Sequence, residues 1–330
     1  MKPYQVVGIG NALVDVLGHV EDSFLAEHSV ERGIMTLIDT DRAVELYGHM
    51  GPAREISGGS AANTIAGLAA LGAKTAYVGK VKDDQLGAIF AHDLKAQGAD
   101  YATPLAAKDH AHETGRCIVL VSHDGERSMS TYLGVSEFLS PDDIDAGQMA
   151  AAEWIFLEGY RFDGPESHAA FAKAIRATRA AGGKVAVTLS DPFCVERHRD
   201  AYLAMIRADV ELLVANEHEL KSLYRTDDLE QAIAKAAAEV PVTACTVGAG
   251  GVHVVSRGSR VHAPAHGTKV VDVTGAGDLF ASGLLYGIVT DHDWLTAARM
   301  GNVAAAEVIS HLGARPEADL RGLFAAEGLL

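Results

Sequence analysis

The residues best suited to do chemistry in this 330-residue chain lie near its C-terminal end, in Asp272-Val273-Thr274-Gly275-Ala276-Gly277-Asp278, followed by an apolar segment. Two glycines flanking an alanine let a bulky anion approach the main chain closely. The unpaired N–H groups of a helix start, together with the helix dipole, favour negative charge there. Asp278 beside such an anion hole is suited to take a proton from a nucleophile that attacks the bound group. The same residues also fit a plainer arrangement, a strand-to-helix turn in which Thr274 caps the helix and Asp278 occupies its first turn.

Four further groups carry polar chemistry. Gly8-Ile9-Gly10-Asn11-Ala12-Leu13-Val14-Asp15 follows a short apolar run. Leu13 stands where a dinucleotide fingerprint needs its third glycine, which disfavours a nicotinamide dehydrogenase. Asn11 and Asp15, just beyond the end of a strand, can hold vicinal hydroxyls or serve only in a turn. Gly58-Gly59-Ser60-Ala61-Ala62-Asn63 exposes backbone at a helix start with Asn63 one turn in, for a ligand or for close packing. Asn216-Glu217-His218-Glu219 sets hard oxygen groups at a strand end, which suits magnesium or, equally, a capping box. Thr246-Val247-Gly248-Ala249-Gly250-Gly251 can skirt a nucleotide or form a tight hairpin. There is no GxxxxGK[ST] motif, so a nucleotide here is not bound by a P-loop.

The elements that must position these groups read as an α/β chain. Buried strands are expected at Tyr4–Gly10, Thr75–Val81, Ile155–Leu157, Lys184–Leu189, Leu212–Ala215 and Val242–Val247, with Val252–Ser256 following. Helices are expected at Gln85–Gln97, Pro165–Ala181, Ala201–Ala208, Glu217–Tyr224, Leu229–Glu239, Trp294–Leu312 and Asp319–Glu327. Regular strand–helix alternation implies a mostly parallel, doubly wound sheet with helices on both faces. Thr114–Val121 and Ser128–Leu133 flank Asp124-Gly125, a strong hairpin signal. With the less regular 17–40 region they are expected to form a small β-sheet lid, from about 17–40 and 113–134, on a single domain spanning 1–330. Arg127, beside the turn, reads as a solvated arginine or a phosphate clamp.

Composition excludes several classes. The 28 basic and 44 acidic residues give a net charge of −16, so nucleic acid and anionic membranes are poor partners. No apolar run approaches the roughly 18 residues of a membrane span. Three dispersed cysteines, Cys117, Cys194 and Cys245, fit buried reduced thiols rather than a disulfide framework. The first residues lead into an apolar strand without a signal-peptide pattern. A cytoplasmic location is expected.

Taken in order, Gly10-Asn11 with Asp15, Gly58-Gly59 with Asn63, Asn216-x-x-Glu219 and the Asp272–Asp278 motif closely resemble the ribokinase (PfkB) family of sugar and nucleoside kinases. The Asn11 to Asp15 spacing and the glycine motif before Asn63 resemble its adenosine kinase branch. The resemblance implies a doubly wound domain with a small β-sheet lid, ATP as donor and Mg2+ as cofactor. It implies that Asp278 deprotonates a ribose 5′-hydroxyl while the N–H groups of Gly275, Ala276 and Gly277 hold the phosphoryl charge. Asn11, Asp15, Gly58, Gly59 and Asn63 would bind the ribose. Asn216 and Glu219 would organise magnesium through water. Thr246, Gly248, Gly251 and Asn302 would line the ATP side, and Arg127 would reach the phosphates from the lid. A K+ ion near Asp272 would follow members that bind a monovalent cation. The partners implied are a nucleoside, foremost adenosine, and ATP, with the chain a monomer or homodimer. The alternatives are a sugar kinase of the same family acting on ribose, fructose or a keto-deoxy sugar acid, and a ligand-binding regulator without catalysis.

Overall fold

The computed structural model describes residues 2–124 and 126–330. Its strands are β1 (Tyr4–Ile9), β2 (Leu13–His19), β3 (Met35–Leu37), β4 (Arg54–Gly58), β5 (Thr75–Val78), β6 (Asp100–Tyr101) and β7 (Thr114–Val121). They continue with β8 (Arg127–Gly134), β9 (Ala152–Glu158), β10 (Lys184–Thr188), β11 (Leu212–Asn216), β12 (Val242–Thr246), β13 (Val252–Ser256) and β14 (Ser259–Ala263). The helices are α1 (Asp22–Glu27), α2 (Thr40–His49), α3 (Ser60–Ala70), α4 (Gln85–Ala96), α5 (Ala146–Ala150) and α6 (Ser167–Ala180). They continue with α7 (Pro192–Asp209), α8 (Glu217–Tyr224), α9 (Leu229–Glu239), α10 (Ala276–Val289), α11 (Trp294–Val308) and α12 (Leu320–Ala326).

Nine strands form the main sheet in the order β14-β13-β12-β11-β10-β9-β1-β5-β6. It is parallel from β6 to β12, and β13 and β14 extend it antiparallel at one edge. Alternate residues feed two separate cores. Val6, Trp154, Phe156, Leu212 and Val214 pack under α3, α10 and α11. Their neighbours Val7, Ile155, Leu157, Leu213 and Ala215 pack under α6, α7, α8 and α9. A sheet covered on both faces buries every position of its central strands, which is why these strands read as unbroken apolar runs.

The second sheet has five strands, in the order β3-β8-β7-β2-β4. Leu25 of α1 and Leu46 of α2 pack against Ile118 and Leu120 on one face of β7. The expected hairpin is present as antiparallel β7 and β8, paired from Thr114 with Gly134 to Val121 with Arg127. The Asp124-Gly125 turn expected between them falls partly on Gly125, which lies outside the described residues.

Four expectations are corrected. Asp15 is not beyond the end of a strand but inside β2, paired with Ile56 and Cys117. Arg54–Gly58, outside the strands expected from sequence, is the edge strand β4, so the small sheet also takes strand residues from outside 17–40 and 113–134. Polar Arg54 and Glu55 on that edge hide the strand pattern. Helix α7 begins at Pro192 rather than Ala201, because Asp191 accepts from the N–H groups of Phe193 (2.7 Å) and Cys194 (3.1 Å). Finally, no strand leads directly into α10, the residues from 264 to 274 being irregular, and its cap is Gly275 in a left-handed conformation (φ 78°), without a side-chain cap from Thr274.

All three cysteines are free and buried. No helix among the described residues is long and apolar enough to cross a membrane.

Candidate active site

Asp278 sits in the first turn of α10, where its carboxylate meets the start of α3. Ser60 Oγ donates to its Oδ1 at 2.7 Å and Asn63 Nδ2 to its Oδ2 at 2.8 Å. Burial raises its pKa, against the lowering pull of these two hydrogen bonds and of Arg315. The carboxylate is thus fixed in direction while its basicity is raised, the combination a general base needs. Asn63 itself is buried, and its Oδ1 has no partner among the described residues. An orphaned buried acceptor beside a base is a place for a ligand hydroxyl.

The anion hole is narrower than the sequence suggests. Ala276 N–H donates to Val273 O at 3.2 Å, so it is already engaged. The N–H groups of Gly275 and Gly277 carry no protein acceptor among the described residues. A Cβ on Gly277 would meet nothing within 4 Å, so the space before it is open. Gly275 has no such freedom, because a Cβ there would strike the Ala314 Cβ at 2.7 Å.

Asp15 projects from β2 into the room left by Gly58, where a Cβ would lie 2.4 Å from its carboxyl atoms. Burial, opposed by Arg315 and reinforced by Asp278, moves its pKa up to about 7. Asp15, Arg54, Ser57, Gly313 and Arg315 line one cleft of about 200 Å³. Gly59 caps α3 with φ 95°. Asn11 Oδ1 accepts from Ser136 Oγ (3.0 Å) and Arg161 Nη1 (3.1 Å) in a buried network.

Arg127 is not a solvated turn residue. It is buried, and Nη2 ion-pairs with Asp272 Oδ2 at 2.5 Å while Nη1 donates to Thr274 Oγ1 at 3.1 Å. Asp272 also accepts from the N–H groups of Thr274 (3.0 Å) and Gly313 (2.9 Å). Both carboxylate oxygens therefore already accept hydrogen bonds, Oδ2 from the ion pair as well.

On the other side, Asn216 and Glu219 form the capping box of α8. Glu219 Oε2 accepts from Asn216 N (2.9 Å) and Oε1 from Asn216 Nδ2 (2.7 Å). Burial brings the Glu219 pKa up to about 7, with Asp191 and Asp278 adding to it. With both oxygens engaged, this pair fits magnesium only through water. Thr246 ends β12, and Gly248 and Gly251 (φ 54° and 89°) shape the tight turn into β13, the hairpin alternative read from sequence. A Cβ on Gly248 would meet open space. Asn302 of α11 donates to Ala263 O (3.1 Å) and Pro264 O (2.8 Å), so in this structure it tethers the segment after β14.

Sequence reasoning missed three buried ionisable residues. Glu158, at the end of β9, accepts from Asn11 N (3.3 Å) and Ala61 N (2.8 Å), and burial pushes its pKa to about 7. Arg161 donates to Asn11 Oδ1, Ser136 O, Leu139 O and Ser167 Oγ. Arg315 donates to Ser57 O (3.0 Å), Ala62 O (2.8 Å), Gln97 Oε1 (3.1 Å) and Ser57 Oγ (3.1 Å). A carboxylate directly after the apolar run Ile155-Phe156-Leu157 was a usable signal for Glu158; Arg315 offered none.

Known proteins share this fold. A probable sugar kinase from Rhizobium etli superposes with a TM-score of 0.94 at 41% identity, across 100% of both chains. The adenosine kinase from Sinorhizobium meliloti superposes with a TM-score of 0.91 at 42% identity, covering 99% of this chain and 100% of its own. The ATP-dependent ribose-1-phosphate kinase of Halopiger xanaduensis is 34% identical over 278 residues, 83% of this chain and 88% of the relative. The pfkB family carbohydrate kinase model matches residues 32–320, and the chain therefore belongs to that family of phosphotransferases acting on hydroxyl groups.

Proposed function

We propose that this chain is an ATP-dependent nucleoside kinase that phosphorylates the ribose 5′-hydroxyl of adenosine. One observation carries the reading. The Asp15 carboxyl lies against Gly58, two residues before α3, and Asn63, in the first turn of α3, is hydrogen-bonded to the base candidate Asp278. A ribose can then present its diol to Asp15 and its 5′-hydroxyl to Asp278. The likeness to the S. meliloti adenosine kinase supports the same acceptor.

In this mechanism Asp278 takes the 5′-hydroxyl proton as the oxygen attacks the γ-phosphorus of ATP, and the bond from that phosphorus to the β–γ bridging oxygen breaks to release ADP. The N–H groups of Gly275 and Gly277, at the positive end of α10, hold the developing phosphoryl charge. Asn63 Oδ1 accepts from a ribose hydroxyl, and Asp15 accepts from the diol as a carboxylate. ATP would lie along the open faces at Gly277 and Gly248. Asn216 and Glu219 would hold magnesium through water, and the ion would neutralise charge on the donor phosphates. The small sheet, exposing Met35 and Leu37 on β3, is proposed to close over the nucleobase as a lid. A K+ ion beside the Asp272 loop is compatible with this scheme.

A second reading has its own observation. The ATP-dependent ribose-1-phosphate kinase of H. xanaduensis is a relative whose acceptor is already phosphorylated, and Arg54, which lines the Asp15 cleft, could pair with such a phosphate. ADP release measured with ATP on adenosine, other nucleosides, ribose, fructose and ribose 1-phosphate separates the two. Turnover on adenosine with none on free or phosphorylated sugars is expected. Turnover confined to sugars or sugar phosphates would overturn the nucleoside reading.

A further inference from the structure

We propose that His28, Glu45 and His49 form a site for a divalent transition-metal ion, of the zinc type, on the outer face of the small sheet. His28 closes the C-terminal end of α1, while Glu45 and His49 stand one turn apart on α2. Residues four apart share a helix face. One ligand atom from each of the three lies within 4.8 Å of the other two. The His28 and His49 rings are 4.7 Å apart between centroids.

The protonation pattern suits ligation. His49 Nδ1 is 2.8 Å from Glu45 O, and a carbonyl can only accept, so Nδ1 carries the proton and Nε2 keeps its lone pair. A hydrogen bond of this kind fixes the tautomer and direction of a metal-bound histidine. Arg42 Nη1 donates to Glu45 Oε2 at 2.9 Å, which leaves Oε1 available on an ionised carboxylate. Arg42 also bonds the His28 carbonyl, tying the end of α1 to α2.

The donor set and spacing select the ion. Two imidazoles and one carboxylate leave a fourth position for water, a set that zinc, cobalt and nickel accept. Magnesium prefers oxygen donors only and does not compete well. Ligands at about 2.1 Å around a tetrahedral ion stand roughly 3.4 Å apart. Glu45 and His49 are exposed and His28 partly so, leaving their side chains room for the small rotations that close the cluster.

The position argues for a structural ion rather than a catalytic one. Asp15 is paired with Cys117 across β2 and β7, whereas α1 and α2 cover the opposite face through Ile118 and Leu120. An ion at this cluster would staple α1 to α2 and stiffen the sheet that carries Asp15 and Arg127.

The test uses the full chain after treatment with a chelator, titrated with Co2+ and then Zn2+ in excess Mg2+. Calorimetry gives the stoichiometry, visible absorption the ligand geometry, and thermal unfolding the stabilisation. One ion per chain is expected, with tetrahedral Co2+ bands, no thiolate charge-transfer band and a raised Tm. Affinity should fall tenfold or more in His28→Ala, His49→Ala and Glu45→Gln, each checked for folding by circular dichroism. It should be unchanged in His198→Ala, which disrupts the other metal-spaced group of the described residues, Asp163, Cys194 and His198. Absence of saturable binding to the wild type overturns the proposal whatever the variants do. So does wild-type affinity in folded His28→Ala and His49→Ala, or loss of binding in His198→Ala alone.

Discussion

Arg127 and Asp272 form an ion pair of 2.5 Å whose side chains are 7% and 0% exposed, joining β8 of the small sheet to the loop that leads into α10. Burial lowers the Arg127 pKa, and Asp272 followed by Asp15 restores part of it. A buried pair of this kind is weak evidence for net stability, yet breaking it from one side strands a charge. Arg127→Met should therefore cost on the order of 3 kcal/mol or more in urea unfolding. The double variant Arg127→Met/Asp272→Asn should recover part of that loss, because the stranded carboxylate is gone. If the losses of Arg127→Met and of Asp272→Asn alone simply add up to that of the double variant, the two residues do not act as a pair.

The hydrogen bonds from Ser60 and Asn63 hold Asp278 whether or not it is charged, so its role as base can be separated from its role in structure. Asp278→Asn preserves the shape and an acceptor for one of the two donors. Turnover should fall by about 10³-fold, the range of a positioned general base. Nucleoside affinity, read by calorimetry, should change only a few-fold. A variant that retains wild-type turnover would rule Asp278 out as the base.

Three buried carboxylates give the protein an unusual stability profile. Asp15, Glu158 and Glu219 move from ordinary values of 3.8, 4.5 and 4.5 to about 7, burial being the first cause in each. Each holds its proton more tightly folded than unfolded, so the native state binds more protons between these values. Their contribution is complete below about pH 4 and is lost as pH rises towards about 7. Glu158→Gln should flatten the fall in Tm across that window, each glutamate accounting for about 3 kcal/mol and Asp15 for about 4 kcal/mol at most. A slope unaltered by the substitution would mean that Glu158 does not titrate there.

How much of this was legible depended on whether a residue's role was local. The long buried strands and α8 and α9 announced themselves through unbroken apolar runs and 3.6-residue periodicity. Asp278 announced itself through the glycines beside it. Strand β4 did not, since an edge strand with Arg54 and Glu55 lacks the alternation of a half-buried one. Nor did the capping of α10: the sequence offers Thr274 as a cap, whereas close contact with Ala314, 39 residues on, requires Gly275. Arg127 read as a turn residue because its partner Asp272 is 145 residues away. Roles set by distant partners leave no pattern in the local sequence.

Arg315 is the sharpest case of such a role, and it can be tested. Its guanidinium is spent on Ser57 O, Ser57 Oγ, Ala62 O and Gln97 Oε1, which fixes the end of β4 against the first turn of α3. Its charge also lowers the Asp15 pKa, although burial wins and leaves that value at about 7. Removing the charge with Arg315→Met should let the Asp15 pKa climb further, so more of the enzyme is protonated there at neutral pH. If Asp15 binds the ribose diol as a carboxylate, the acid limb of kcat/KM should move to higher pH, and the limb of kcat should move the same way through Asp278, whose pKa Arg315 also lowers. Arg315→Lys keeps the charge but not the fork of donors. It should leave the limb near its wild-type position and lose stability by about 1–3 kcal/mol, from carbonyls left unpaired. A limb that stays fixed in a folded Arg315→Met variant would show that Arg315 supports the cleft by its hydrogen bonds alone.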